Sequence, residues 1–180
     1  MNSMNNKGFT LVEVLVAVFV VSIALGGAFT AAQLSLRYSI TSQNRVVAFY
    51  LAQEGFELIK NVRDGNFQEN LNYWLEYLDE CEDETCRISA FPDLDNTWET
   101  ISLCTPGSGD CLLRMSDDGR MWHTTSLLVT PFERYFTIEK TIDDEIRVDM
   151  TIAWTQGSND YTFETVEYIS NWRGDHTDPQ

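Results

Sequence analysis

A single carboxylate interrupts the most apolar part of this chain. From Phe9 to Leu36 almost every side chain is aliphatic, aromatic or small, and Glu13 is the only ionisable one. The run is longer than the about 20 apolar residues with which an α-helix crosses a bilayer. Even lenient insertion scales assign roughly 2.5 to 3.5 kcal/mol to a carboxylate at the centre of such a helix. The sequence therefore predicts a membrane-spanning helix in which Glu13 meets a cationic partner.

A cut between Gly8 and Phe9 would supply that partner. It would create a new α-amino group at Phe9, about one helical turn from Glu13. Two other interpretations of the apolar run and its carboxylate stay open. In an ordinary signal anchor Glu13 would snorkel near a helix end. In a secretory signal the small residues 28–32 would mimic a cleavage site, and a soluble protein would be released.

The stretch Lys7-Gly8-Phe9-Thr10-Leu11-Val12-Glu13, followed by the apolar run, resembles the class III signal of the type IV pilin and pseudopilin family. That family has a short charged leader ending in Gly, a Phe that becomes the mature N-terminus, and a Glu four residues further on. The resemblance implies that a prepilin peptidase cuts after Gly8 and, as an N-methyltransferase, methylates Phe9. It also implies that Glu13 and Phe9 act in assembly, with Glu13 facing the N-terminal amine of a neighbouring subunit.

The resemblance implies a structural subunit, either a minor pilin or a pseudopilin, of a type IV pilus or a type II secretion-like filament. Residues 14–17 together with Gly26-Gly27 are closest to the minor-pilin branch. The implied partners are the peptidase, other pilin or pseudopilin subunits, a membrane-embedded assembly platform and, before assembly, membrane lipid. The alternative is a single-pass adhesin or receptor ectodomain that never polymerises. Neither function predicts a cofactor.

Charge agrees with a location outside the cytoplasm. The chain has 12 basic and 28 acidic residues and a formal net charge of −16, which becomes −17 without Lys7. Lys7 is the only charge before the span and predicts a cytoplasmic N-terminus with the rest of the chain outside. Since binding to phosphate backbones relies on Lys and Arg, this acid excess predicts no nucleic-acid binding.

The residues also predict no enzyme. The sequence contains no phosphate-binding loop, no Gly-x-Ser-x-Gly elbow and no His-Glu-x-x-His motif, and its two histidines, His123 and His176, stand in unrelated contexts. The acid pairs of the C-terminal part stand in predicted turns, where Asp is favoured for backbone reasons.

Four cysteines, Cys81, Cys86, Cys104 and Cys111, all lie in the middle of the chain. Outside the cytoplasm they are expected to be oxidised, with three possible connectivities. Each sequential pair flanks a short polar stretch, which favours Cys81 with Cys86 and Cys104 with Cys111. A zinc site is the alternative, but neither pair has the two-residue spacing of common zinc motifs.

After Arg37 the helical pattern becomes amphipathic and predicts a continuous helix from Thr10 to Arg63 with Gly65 as its left-handed cap. The apolar stripe consists of Val47, Leu51, Gly55, Leu58 and Val62. The predicted organisation is a leader (1–8), a transmembrane assembly helix (9–36), an amphipathic continuation (37–64), a disulfide-containing head domain (65–174) and a flexible tail (175–180).

The stretch from Asn66 to Gly109 carries the weakest patterns. Helical spacing predicts a short amphipathic helix before the first cysteine, with an apolar side formed by Leu71, Trp74, Leu75 and Leu78. Residues 91–105 are expected to form a loop with one short strand. Asp93, Asp95 and Asn96 offer oxygen atoms of the kind that calcium binds, although solvated acids without a ligand explain them as well.

The C-terminal third is predicted to be β. Asp117-Asp118-Gly119 predicts a hairpin turn between strands 111–115 and 121–125. Alternation predicts one strand with Phe136, Ile138 and Ile142 inward, another over residues 146–155, and a last strand over 161–169 that has a bulge or an edge position. The fold class is therefore α+β, with a long N-terminal helix packed on a pilin-like sheet of four or five antiparallel strands.

Overall fold

The computed structural model describes residues 10–68, 73–89, 101–117, 119–123, 128–141 and 144–172. The chain divides between Asn44 and Arg45 into an N-terminal unit and a C-terminal unit, and we name the latter the head domain. One α-helix, α1 (Leu11–Gln68), runs through the N-terminal unit and into the head domain. Its sequence contains no proline, which is consistent with an uninterrupted helix of 58 residues.

The helix ends later than the sequence predicts. Gly65 stays helical and α1 continues to Gln68, so the expected boundary at Arg63 is wrong. Tertiary contacts explain the extra turn. The buried Asn66 amide donates hydrogen bonds to the carbonyl oxygens of Trp74 (3.0 Å) and Glu76 (2.9 Å). Phe67 is also buried and lies edge-on against Trp172, with 5.4 Å between ring centroids.

Within the head domain α1 buries one stripe of side chains, which confirms the amphipathic pattern of the sequence. The buried positions are Ala48, Leu51, Ala52, Gly55, Phe56 and Ile59. Val47, Leu58 and Val62 are partly buried beside them. Residues 37–47 contribute no fully buried side chain, so the buried stripe starts at Ala48, eleven residues after Arg37. Small residues in the stripe allow the sheet to approach closely: a Cβ at Gly55 would lie 2.7 Å from Met150 Cε.

The described residues form one antiparallel sheet of seven strands, more than the four or five expected. The strands are β1 (Cys86–Ile88), β2 (Ile101–Leu103), β3 (Leu112–Met115), β4 (Met121–Trp122), β5 (Leu128–Lys140), β6 (Glu145–Gln156) and β7 (Asn159–Ser170). Strand β5 is central. One of its edges pairs with β6, which pairs with β7, and its other edge pairs with β3 near its start and with β1 at Phe136.

The alternation predicted for the last three strands is largely confirmed. Strand β6 buries Ile146, Val148, Met150, Ile152 and Trp154 and leaves the intervening side chains only partly covered. Strand β5 begins at Leu128, several residues before the first predicted one. Strand β7 pairs with β6 in one unbroken register from Glu145 opposite Ser170 to Gln156 opposite Asn159. Among the described strands β7 is thus an edge strand, and its weaker alternation reflects that position and not a bulge.

The β3–β4 and β6–β7 hairpin turns each use a glycine with positive φ. In the β3–β4 hairpin, predicted from the sequence, Gly119 has a φ of +85° and its N–H donates to the carbonyl of Ser116. Strand β4 is shorter than expected, with only two residues. Between β6 and β7 a two-residue turn places Gly157 at a φ of +67°. Such φ values are easily reached only by glycine.

The predicted helix before the first cysteine is wrong. Trp74, Leu75 and Leu78 are buried as expected, but residues 74–78 form turns that lead into a short 3-10 helix, Asp79–Cys81. Tyr77 has a φ of +70°, which interrupts an α-helix. Leu71, the acidic group Asp93, Asp95 and Asn96, Ile142 and the tail 175–180 lie outside the described residues.

A fully buried arginine connects the helix to the sheet. Arg134 of β5 has no exposed surface, and its guanidinium donates to the carbonyls of Leu51 in α1 (3.1 Å) and Ile88 in β1 (2.8 Å). It also pairs with the carboxylate of Glu54 at 2.9 Å. Burial lowers the pKa of Arg134, and the Glu54 charge opposes that shift. One side chain therefore ties three elements of the head domain together.

We expect Arg134→Ala to lower the free energy of unfolding by about 3 kcal/mol or more, since the change leaves a cavity and orphaned carbonyl groups. Glu54→Gln should cost less than Arg134→Ala, because a neutral amide still accepts the hydrogen bond and the carbonyls of Leu51 and Ile88 still accept from the guanidinium. Guanidinium unfolding of the full chain in detergent micelles, followed by tryptophan fluorescence, measures both. Equal losses would contradict the connecting role of Arg134.

A buried histidine lies in the same part of the head domain. His123 is 3% exposed, and its Nδ1–H donates to the carbonyl of Leu112 at 3.2 Å. Burial lowers the pKa of His123 to about 3, and the nearby charges of Arg134 and Arg87 add to that effect. The imidazole is therefore neutral in the folded protein at ordinary pH.

This shift predicts a pH dependence of stability. The unfolded chain protonates His123 near pH 6.5, whereas the folded chain resists protonation down to about pH 3. The contribution of the neutral, buried His123 to the free energy of unfolding is fully present above pH 6.5. It is lost as the pH falls from 6.5 towards 3. Between pH 6 and 4.5 we expect the free energy of unfolding to fall about 1.4 kcal/mol per pH unit more steeply in the wild type than in His123→Gln. Parallel slopes would contradict this prediction.

Candidate assembly site

The start of α1 is built around Thr10 and Glu13. The Glu13 N–H donates to the Thr10 hydroxyl at 3.3 Å, and the Val14 N–H donates to the Thr10 carbonyl at 3.2 Å. Thr10 therefore caps the helix. A Thr followed three residues later by Glu is the sequence signature of a capping box, in which the acid also interacts favourably with the helix dipole. The processing residues, Gly8 and Phe9, lie outside the described residues.

The capping role of Thr10 is a finding of the structure. The sequence contains its signature, Thr10 followed three residues later by Glu13, but the interpretation of Glu13 as an intramembrane charge does not include a cap. The cap gives Glu13 a local structural role at the helix terminus. It supplies no positive charge, so the need for a cationic partner remains.

The N-terminal unit itself offers Glu13 no such partner. Among its described residues, 10–44, the only other charged side chain is Arg37. Arg37 comes 24 residues later, which is about 36 Å along an α-helix. Within residues 10–44, therefore, no side chain supplies a cationic partner for Glu13.

The apolar part of α1 exposes all of its large side chains. From Leu11 to Leu36 each large apolar residue is 47–78% exposed. An 18-residue window has a mean hydropathy of 2.5 and no buried residue, so by length and composition this helix is able to span a membrane. Ser22 and Thr30 satisfy their hydroxyls within the helix by donating to the carbonyls of Val18 and Gly26. The segment is therefore suited to lipid or to apolar helices.

The four cysteines form two local disulfides, the pairs that the sequence spacing favoured. Cys81 with Cys86 links the 3-10 helix to β1, and both residues are buried. Cys104 with Cys111 closes a loop between β2 and β3. That loop is held by Gly107 N–H, which donates to Glu133, and by Arg87, which donates to the carbonyl of Asp110. Because all four are oxidised, none remains as a thiolate ligand for zinc.

The head domain also has an open, polar depression of about 410 Å³ between the two disulfide loops. It is lined by Glu84, Thr85, Leu103, Cys104, Thr105, Pro106 and Asp110. Its polar side chains are the carboxylates of Glu84 and Asp110 and the hydroxyls of Thr85 and Thr105. In the described ranges no group of three or more His, Cys, Asp or Glu residues is arranged to hold a metal ion.

Comparison with known proteins identifies the N-terminal segment. Residues 3–29 match the family model described as the prokaryotic N-terminal methylation motif. No curated protein and no solved structure shows significant similarity to the chain. The match contains Gly8, Phe9 and Glu13 and most of the apolar run, and it ends before the head domain begins. Over residues 3–29 the chain is thus similar to proteins of the type IV pilin-like family, which carry this motif.

Proposed function

We propose that the chain is a filament subunit that is cut after Gly8, N-methylated at Phe9 and assembled through its apolar helix. The observation that carries this proposal is the methylation motif at residues 3–29, which lies on a helix whose large apolar side chains are 47–78% exposed between Leu11 and Leu36. Such a motif points to a structural subunit rather than an enzyme. Lipid covers these side chains before assembly, and helices of other subunits cover them in the filament.

In this proposal Glu13 faces the methylated, cationic amine of Phe9 in a neighbouring subunit. A charge pair in an apolar environment is strong, but its desolvation cost cancels much of the gain. We therefore assign the pair to fixing the register between subunits. In lipid there is little hydrophobic drive between helices, so packing and one specific polar contact decide how they align.

The proposed location is the cytoplasmic membrane, with the N-terminus inside and the head domain outside, followed by an extracellular or periplasmic filament. Lys7 before the span and the strongly acidic remainder support this orientation. The two disulfides support an oxidising compartment for the head domain. The partners are a prepilin peptidase that also methylates, other subunits and a membrane-embedded assembly platform. A minor rather than a major subunit is our preferred assignment, on the size of the chain and on its disulfide-bearing middle stretch, residues 81–111.

We expect the native protein to begin with N-methylated Phe9. Cleavage removes the eight-residue leader and Lys7 with it, so intact-mass and N-terminal peptide analysis of the purified protein should both find a chain of residues 9–180. A chain that retains Met1, or one that begins near residue 30, would rule out this maturation and leave an anchored or secreted head domain as the function.

We expect Glu13→Gln to reduce the amount of protein in sheared filaments at least tenfold. Glutamine retains the capping function at this position, so the change removes the charge and leaves the helix start intact. Membrane insertion and the unfolding temperature of the head should be unchanged. The assay is quantitative immunoblotting of filament and membrane fractions.

Arg37→Gln is the matched control, because Arg37 is the only other charged residue among the described residues of the N-terminal unit. It should leave incorporation unchanged. Normal incorporation of the Glu13 variant, or an equal loss in both variants, would count against the pairing of Glu13 with a subunit terminus.

A further inference from the structure

Strand β7 forms a long, regular border of the sheet. It has 12 residues, it pairs with β6 in one unbroken register, and its sequence contains no proline, glycine or basic residue. The strands at the other borders are much shorter, with three residues in β2 and two in β4. Natural proteins protect sheet edges with short strands, prolines, bulges or lysines, and β7 has none of these features. We name its outer edge, residues 160–168, the open edge.

Two contacts show which backbone groups of β7 face away from the sheet. The Asn171 N–H donates to the carbonyl of Asp144 at 2.7 Å, in the same register as the β6–β7 pairs. Odd-numbered residues of β7 therefore direct their N–H and C=O groups towards β6. The carbonyl of Ser170, an even-numbered residue, instead accepts from Arg63 Nη1 of α1 at 3.3 Å. The even-numbered residues thus direct their backbone groups outwards.

The open edge presents a regular row of donors and acceptors. The row consists of the N–H and C=O groups of Asp160, Thr162, Glu164, Val166 and Tyr168. Within the described ranges no main-chain hydrogen bond from another element reaches these five residues. A peptide in an extended conformation offers matching groups at the same two-residue interval. Addition of such a strand to a sheet edge is a recurring mode of peptide recognition.

The side chains at the open edge determine which strand fits. Pairing with the buried residues of β6 places the even-numbered side chains of β7 on the face opposite α1. On that face Asp160 and Glu164 are acidic, and neither forms an ion pair within the described part of the chain. Arg147, the only base of β6, already pairs with two other acids. Val166 and Tyr168 are uncharged and 44% and 59% exposed.

We propose that the open edge binds an extended segment of another protein, with basic side chains opposite the two acids and apolar side chains opposite Val166 and Tyr168. Antiparallel pairing continues the pattern of the sheet, and opposite charges and apolar pairs across strands stabilise it. A second copy of β7 does not fit, because it brings three further acids and no base. The proposal concerns the head domain and holds whether or not the chain enters filaments.

Amide hydrogen exchange of the full chain in detergent micelles, followed by NMR, tests whether the edge is open. We expect the even-numbered amides from Thr162 to Tyr168 to exchange about 100-fold or more faster than the odd-numbered amides from Phe163 to Glu167. Slow exchange of the even-numbered amides at every protein concentration would mean that the chain covers its own edge. Exchange that slows only at high concentration would mean that a second copy covers it. Either result would overturn the proposal.

The probe for the added strand is the synthetic peptide acetyl-Val-Thr-Val-Thr-Lys-Thr-Thr-Thr-Lys-amide. In antiparallel pairing its two valines lie opposite Tyr168 and Val166, and its two lysines lie opposite Glu164 and Asp160. We expect the bound probe to slow exchange of the even-numbered amides about tenfold or more and to leave the odd-numbered amides unchanged. Even-numbered amides that stay fast, or equal slowing of both sets, would overturn the proposal.

Two N-methylated versions of the probe are matched controls with the same charge and the same side chains. Methyl groups on the third, fifth and seventh residues of the peptide remove N–H groups that face β7. Methyl groups on its second, fourth and sixth residues remove only N–H groups on the far side. In fluorescence anisotropy titrations we expect the first version to bind at least tenfold more weakly than the second. Equal affinities would mean that charge alone attracts the peptide, which would overturn the proposal.

Glu164→Gln tests the part that charge plays. Glu139→Gln is its matched control, because Glu139 is also an exposed acid but lies on β5 and pairs with Arg147. We expect the Glu164 variant to bind the unmethylated probe about threefold more weakly than the wild type and the Glu139 variant to bind it equally well. Equal affinities of the two variants would overturn the assignment of the basic side chain to Glu164.

Discussion

The head domain depends on one constraint: the inner face of its antiparallel sheet is apolar and must be covered. The last 20 or so residues of α1 do this with a stripe that includes Ala48, Ala52 and Ile59, each at most 1% exposed. Small residues bring the helix close to the sheet. The buried Arg134 can therefore donate hydrogen bonds to the carbonyl of Leu51 in α1 and to the carbonyl of Ile88 in β1. Helix and sheet are therefore one hydrophobic core, as expected for a two-layer domain.

In the N-terminal unit the same helix exposes its apolar side chains instead of burying them. There its large apolar side chains are 47–78% exposed, and the single carboxylate lies at a capped helix start. Stability of the head explains neither feature, whereas the proposed insertion in lipid and packing among helices would explain both. The methylation motif lies on this part of the chain, which is why the functional assignment rests on it and on no cavity of the head.

Much of the fold was predictable from the sequence, and the wrong predictions have physical causes. Alternation over residues 146–155 predicted β6 because a half-buried strand has a period of two. The helix before Cys81 was predicted wrongly because Trp74, Leu75 and Leu78 have helical spacing, yet a positive φ at Tyr77 breaks the helix. Strands β1 and β2 have three residues each, too few to show a period. The end of α1 was misplaced because Asn66 gains partners that only the folded head provides.

The sequence by itself determined the membrane-spanning character, the position of Glu13 and the α+β class, because these follow from composition and local periodicity. It also favoured the two disulfides, since each closes a short polar loop. Tertiary structure alone decided that Arg134 is buried, that His123 is held neutral and that Phe49, Tyr50 and Phe163 meet on one surface. Those properties arise from contacts between residues far apart in the chain, so no local sequence pattern predicts them.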